Sequence, residues 1–162
     1  MDLYLIRHGD AVPLGEQGIE EDGERPLTEI GHKQARNVGK GLRAKDIKFD
    51  KVVTSPLVRA RETAEDILKD WPEPRPELIV CEDLVPDGKP KRAARFIRDV
   101  KGERIGIVGH MPQLGIMAAW LIGGNKDTQI DLAKAGVAYV TCDTIRKGCG
   151  ALVWLVPPEW LA

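Results

Sequence analysis

The chain has 162 residues, 43% of them apolar, with 24 Lys and Arg against 25 Asp and Glu for a formal net charge of -1. That length suits a single domain spanning 1–162, able to bury roughly two-thirds of its unfolded surface without a disulfide or structural metal. Charge balance excludes a purely electrostatic polyanion binder, so no nucleic-acid partner is expected, and the apolar content excludes a disordered chain.

Met1-Asp2-Leu3-Tyr4-Leu5-Ile6 is too short for the apolar part of a signal peptide and carries an acid where a base belongs. The longest apolar stretch, around Met117 to Ile122, falls far short of the roughly 20 residues that span a bilayer. The expectation is a cytoplasmic monomer without membrane contact. Cys81, Cys142 and Cys149 show no metal-binding spacing and read as reduced thiols, although Cys142 and Cys149 could face each other across a hairpin.

Leu3 to Ile6 reads as a first strand, ending at Arg7-His8-Gly9, and residues 10 to 27 as a long loop. Thr28 caps a helix that carries Ala35, Val38 and Leu42 at helical spacing and ends near Lys45. Lys51 to Thr54 is a second strand. Ser55 then caps a helix with Pro56 at its first position and an apolar stripe of Leu57, Ala60, Ala64, Ile67 and Leu68. A third strand follows at Glu77 to Cys81, then a turn through Pro86-Asp87-Gly88 and a helix over about 91–100. Arg104 to Gly109 is a strand ending at His110, and Met111-Pro112 opens a helix to about Ile122. Val137 to Cys142 and Ala151 to Val156 read as an antiparallel pair. The alternation predicts a three-layer α/β/α sandwich whose mostly parallel central sheet has an antiparallel edge.

His8 and His110 each end a core strand, and parallel strands bring both to the sheet edge where open α/β folds bind ligands. Arg7 precedes His8, and Arg59 lies in the first turn of the second helix, whose free N–H groups already favour an anion. Two guanidinium forks beside a helix terminus make a clamp for a phosphoryl group. Arg59 and Arg61 cannot share a helix face; Arg59, beside Ala60 and nearer the terminus, is the choice. Side chains alternate along a strand, so Arg7 and His8 converge only if the chain leaves extended geometry there, which Gly9 eases.

Leu5-Ile6-Arg7-His8-Gly9 resembles the RHG signature of the histidine phosphatase superfamily, and Thr54 to Thr63 resembles its second phosphate-binding motif. Val108-Gly109-His110 matches the third. With Arg25 to Gly31 and Leu84 to Gly88, the pattern is similar, over nearly the whole chain, to the small SixA-type phosphohistidine phosphatases, which share the phosphoglycerate-mutase-like fold. The resemblance implies that neutral His8 attacks phosphorus and becomes a transient phosphohistidine. Arg7, Arg59 and His110 would surround the phosphoryl oxygens, with Gly9 and Arg25 as further contacts. It implies no metal or cofactor, and a phosphohistidine-containing phosphotransfer protein as partner.

The family's larger members place an acidic proton donor after the third strand. Glu82, Asp83 and Asp87 are all available here, and none is singled out. A missing donor favours P–N over P–O cleavage, because imidazole, with a pKa near 6.5, can leave as a neutral base. The short chain leaves little for a cap domain, and the acidic loop from Asp10 to Arg25 is the expected rim. His32 reads as a surface residue. The alternatives are a phosphatase or mutase for small phosphoesters, a metallohydrolase using His8, Asp10 and His110, and a phosphate-binding reader without turnover.

Overall fold

The N-terminal apolar run forms β1 (Asp2–Arg7), parallel to β4 (Arg104–Gly109) on one side and antiparallel to β5 (Val137–Cys142) on the other. In this computed structural model, which describes residues 1–162, β2 (Lys51–Thr54) and β3 (Glu77–Val80) run parallel to β4, while β6 (Gly150–Val156) runs antiparallel to β5. The result is one six-stranded sheet in the order β3-β2-β4-β1-β5-β6.

Alternation along the strands divides the core between two faces. Leu3 and Leu5 of β1 join Ile105 and Ile107 against α3 (Pro90–Asp99) and α4 (Gln113–Leu121), with Ala93, Ala94, Ile97, Leu114 and Met117 as partners. Tyr4 and Ile6 face the other way, with Val52 and Val108, onto α1 (Glu29–Ala44) and α2 (Val58–Leu68) through Ala35, Val38, Leu42, Ala60, Ala64 and Ile67. Each fully buried Leu or Ile contributes roughly 1.5–3 kcal/mol to holding these layers together. The expected α/β/α sandwich is therefore observed, with its antiparallel edge at β5 and β6.

Thr28 caps α1 by accepting a hydrogen bond from the Gly31 N–H. At α2 the structure departs from expectation. The helix starts at Val58 with Leu57 as N-cap, and Ser55 lies before it, its Oγ accepting from the Leu57 N–H at 3.2 Å. Ser55 is held there by a second partner, described below. The loop over 10–27 contains a 3-10 turn at Asp22–Glu24 and a bridge between Ala11 and Leu27. All three cysteines are free, with Cys81 and Cys142 buried and Cys149 exposed. No helix is long and apolar enough to cross a membrane.

The register of β1 on β4 places Arg7 opposite Gly109, so the next residues, His8 and His110, leave the sheet at one edge.

Candidate active site

His8 and His110 meet with ring centroids 5.2 Å apart, and both are almost fully buried, at 8% and 1% exposure. The turn after β1 turns one ring nitrogen back on the chain: His8 Nδ1 lies 2.7 Å from the Gly9 carbonyl oxygen. A carbonyl only accepts, so Nδ1 carries the hydrogen and Nε2 keeps its lone pair. That lone pair faces Arg59, whose Nε–H donates to it at 3.3 Å.

Close backbone contact fixes this turn. The Gly9 N–H donates to Thr63 Oγ1 of α2, and Gly31, in the first turn of α1, packs against the Asp10 backbone so tightly that a Cβ there would overlap the Asp10 carbonyl oxygen. A Cβ on Gly9 would lie 2.8 Å from the Gly31 oxygen, so both positions are restricted to glycine by sterics. Thr63 also donates to the Arg59 carbonyl one helical turn before it, tying the arginine's helix to the histidine's turn.

Arg59 is 4% exposed and all three of its nitrogens are engaged. Besides Nε on His8, Nη1 donates to the Asp22 carbonyl oxygen at 2.8 Å and Nη2 to Asp22 Oδ2 at 3.1 Å. Asp22 Oδ1 accepts from Arg25 Nη1 at 3.0 Å, and Arg25 Nε is bound to the Val12 carbonyl oxygen. One carboxylate thus links two guanidinium groups above the histidine pair. Arg7 reaches the Leu132 carbonyl with Nη1 at 2.8 Å, while its Nε is buried without a partner in the chain.

His110 Nε2 pairs with Ser55 Oγ at 2.7 Å and its buried Nδ1 has no partner. Behind it, Gln113 Nε2 donates to the Asp83 carbonyl oxygen, holding the loop after β3 to the start of α4.

Both imidazoles are kept neutral. Burial is the main cause in each case, lowering His8 to about 4, with the Arg59, Arg7 and Arg25 charges adding to it against the Gly9 hydrogen bond. His110 falls to about 3 through burial and then Arg59 and His8. Burial would raise the Asp22 carboxyl, but hydrogen bonds and charge from Arg25 and Arg59 outweigh it and hold the group ionised.

Of the residues singled out in the sequence, His8, His110 and Arg59 converge directly, Gly9 shapes their turn, and Arg7 and Arg25 act on His8 through their charge. Of the three candidate acids, Asp83 is paired with Arg92 at 3.1 Å, and no hydrogen bond joins Glu82, Asp83 or Asp87 to either histidine. The Asp10 carboxylate accepts from Lys134 Nζ at 2.7 Å and from the Thr28 hydroxyl, and makes no hydrogen bond to either histidine. No group of three His, Cys, Asp or Glu side chains is arranged to hold a metal ion. His32 pairs with Asp66 between α1 and α2.

Four participants escaped the sequence reading. From the sequence Ser55 reads as a cap, and Asp22 as one acid among several in the loop. Thr63 carried a usable signal, four residues after Arg59 on the same helix face. Gln113, three residues beyond His110, carried none.

Two neutral histidines, an arginine fork and a helix N-terminus gathered at the edge of a doubly wound sheet define an enzyme-like anion site. Residues 3–85 match the model of the histidine phosphatase superfamily (branch 1). An uncharacterized protein of Picosynechococcus is 31% identical over 99% of both chains. The phosphohistidine phosphatase SixA of Escherichia coli is 26% identical over 98% of this chain and 94% of its own. A structure of the protein histidine phosphatase SixA complexed with tungstate superimposes with a TM-score of 0.84 at 26% identity, covering 100% of each chain. The chain belongs to the histidine phosphatase superfamily, which implies phosphatase activity.

Proposed function

We propose that this protein removes the phosphoryl group from phosphohistidine on a phosphotransfer protein, through a covalent phosphohistidine formed at His8. The observation that carries the reading is the tautomer of His8: with Nδ1–H held by the Gly9 carbonyl, Nε2 offers a lone pair at the cationic edge. In the first step Arg59 Nε–H gives up that lone pair to turn toward the phosphoryl oxygens, the lone pair bonds to phosphorus and the P–N bond to the substrate imidazole breaks. The bonding electrons leave with that imidazole, which departs neutral because its other nitrogen was protonated. Water then attacks phosphorus on His8, the new P–N bond breaks back onto Nε2, and inorganic phosphate leaves.

Arg59, Arg7 and His110 stabilise charge on the equatorial oxygens during both steps. Arg7 Nε and His110 Nδ1, buried without partners in the chain, are the groups such oxygens would satisfy. Gly9 and Arg25 complete the substrate-binding set. None of Glu82, Asp83 and Asp87 bonds to either histidine, which suits a leaving group that departs without a strong acid. In this reading the protein acts as a cytoplasmic monomer and needs neither metal nor other cofactor. Similarity to SixA over nearly the whole chain supports phosphohistidine as a substrate.

The test combines rapid quench with a substrate panel. Incubation with a phosphorylated histidine phosphotransfer domain should give an acid-labile, base-stable phosphoenzyme that His8→Ala abolishes, and activity should survive exhaustive chelation. Faster turnover of a phosphoserine protein or of sugar phosphates would overturn the substrate assignment, and full activity in His8→Ala would overturn the mechanism.

A further inference from the structure

α3 carries Lys91, Arg92, Arg95 and Arg98, with Lys89 at its N-cap, and every one of these side chains is exposed. Its other face, Ala93, Ala94 and Ile97, is buried against the sheet, so the cations form one outward stripe. Only Arg92 reaches a carboxylate, that of Asp83; Arg98 donates to the Ile145 carbonyl oxygen, and Lys89, Lys91 and Arg95 make no ion pair.

This arrangement works against the helix itself. Lys89, Lys91 and Arg92 crowd the positive end of the macrodipole, where no acid occupies the first turn. Positions 91 and 95, 92 and 95, and 95 and 98 are like-charged neighbours at spacings of four and three. Local preference and the observed fold disagree here in the way they do at functional surfaces. In a chain whose net charge is only -1, these five cations are exposed together with one carboxylate partner among them.

The stripe starts beside the active site. Arg92 is bonded to Asp83, whose carbonyl is held by Gln113, three residues beyond His110. On the opposite face of the sheet, the loop carrying exposed Glu16, Glu20, Glu21, Asp22 and Glu24 docks on α2 through Asp22 and Arg59. The histidine edge thus lies between an acidic lip and a basic one.

We propose that the exposed face of α3 docks an acidic patch on the substrate protein, orienting that protein so that its phosphorylated side chain enters between the two lips. The inference rests on the reading of the chain as a phosphatase acting on a phosphotransfer protein. A nucleic acid or an anionic membrane fits less well, since either would bring uniform negative charge against the acidic lip.

The test uses the full chain and the double variant Lys91→Glu/Arg95→Glu, two exposed residues without partners. Turnover of a phosphorylated histidine phosphotransfer domain with an acidic surface is compared with turnover of phosphoramidate, and binding of the unphosphorylated domain is measured separately. At low salt, the variant should lose about tenfold or more in kcat/KM toward the protein, mostly in KM, with a flatter salt dependence and weaker binding. Phosphoramidate turnover should be unchanged. Equal loss on both substrates, or no loss on the protein, overturns the proposal. So does wild-type binding that the double substitution leaves intact, or no wild-type binding at all. Charge-dependent binding to anionic vesicles or to RNA in place of the acidic domain overturns it as well. Failure of the wild type to dephosphorylate phosphohistidine sinks the functional reading alone, because the binding comparison judges the docking surface without turnover.

Discussion

Asp22 holds Arg59 from both ends of the fork, its backbone carbonyl on Nη1 at 2.8 Å and its carboxylate on Nη2 at 3.1 Å. Arg59 is thereby aimed so that Nε meets His8 Nε2, but a negative charge of the chain's own stands where a phosphoryl oxygen would compete for the guanidinium. The same carboxylate engages Arg25. A phosphoryl group therefore binds against Asp22 as well as with Arg59.

Replacing Asp22 by Asn keeps an oxygen acceptor and the backbone contact while removing the charge. Orthophosphate should then inhibit about fivefold more tightly, a change of ~1 kcal/mol, since this half-exposed charge is screened by water. The inhibition constant at fixed ionic strength measures it. An unchanged constant would mean that Asp22 and phosphate do not share the site.

Neutral His8 sets the pH dependence. With its folded pKa lowered to about 4, the nucleophile is unprotonated through the neutral range, so kcat/KM should keep its value as pH falls through 6.5 and decline only toward 4. Stability follows the same groups. The unfolded chain binds protons on both histidines below about 6.5 while the folded chain does not, so stability is complete above that pH and is lost progressively as pH falls toward 4 for His8 and 3 for His110. Denaturant midpoints of the wild type and of His110→Gln between pH 4 and 7 check this: the variant should show the shallower decline.

Ser55 positions His110 without touching the reacting atoms in the proposed mechanism. Ser55→Ala removes the partner of a buried ring nitrogen, so kcat should fall about tenfold with KM nearly unchanged, while Ser55→Thr, keeping the hydroxyl, should restore most of it. Equal kcat in all three proteins would remove Ser55 from the site.

Arg59→Ala should cost roughly 1–4 kcal/mol in transition-state stabilisation, about five- to a thousandfold in kcat/KM. Arg59→Lys should recover little, because one ammonium cannot replace a planar fork with three separately directed contacts. Steady-state kinetics of the two variants decide it; near-wild-type turnover of Arg59→Ala would show that another cation holds the phosphoryl group.

Gly31 lies outside the chemistry yet sets the turn after His8. A methyl group there overlaps the Asp10 carbonyl, so Gly31→Ala should lower stability by about 1–3 kcal/mol and reduce kcat together with it, read from denaturant unfolding and turnover of the same preparation. A stable, fully active variant would show that α1 can move away without disturbing the turn.

Much of this site is legible in the sequence because its two histidines end adjacent parallel strands. The apolar runs Leu3–Ile6 and Ile105–Val108 announce those strands, and the residue that follows each must then appear at the same edge. Arg59 is legible for a similar local reason, its place in the first turn of α2. Ser55 reads as a cap because Ser-Pro before an apolar stripe carries the signal of a helix start, whereas α2 begins at Val58 and the Ser55 hydroxyl pairs with His110, 55 residues away in the chain.

Sequence by itself determined the layers, the order of elements and the edge at which His8, His110 and Arg59 gather, since periodicity and strand ends are local properties. Only tertiary structure decided which acid pairs with Arg59, which ring nitrogen of His8 is free, and why Gly31 admits no side chain. Those outcomes depend on distances between segments far apart in the chain, where a fraction of an ångström separates a hydrogen bond from a clash. Residue identity alone does not encode that distance; packing of the two cores against one sheet does.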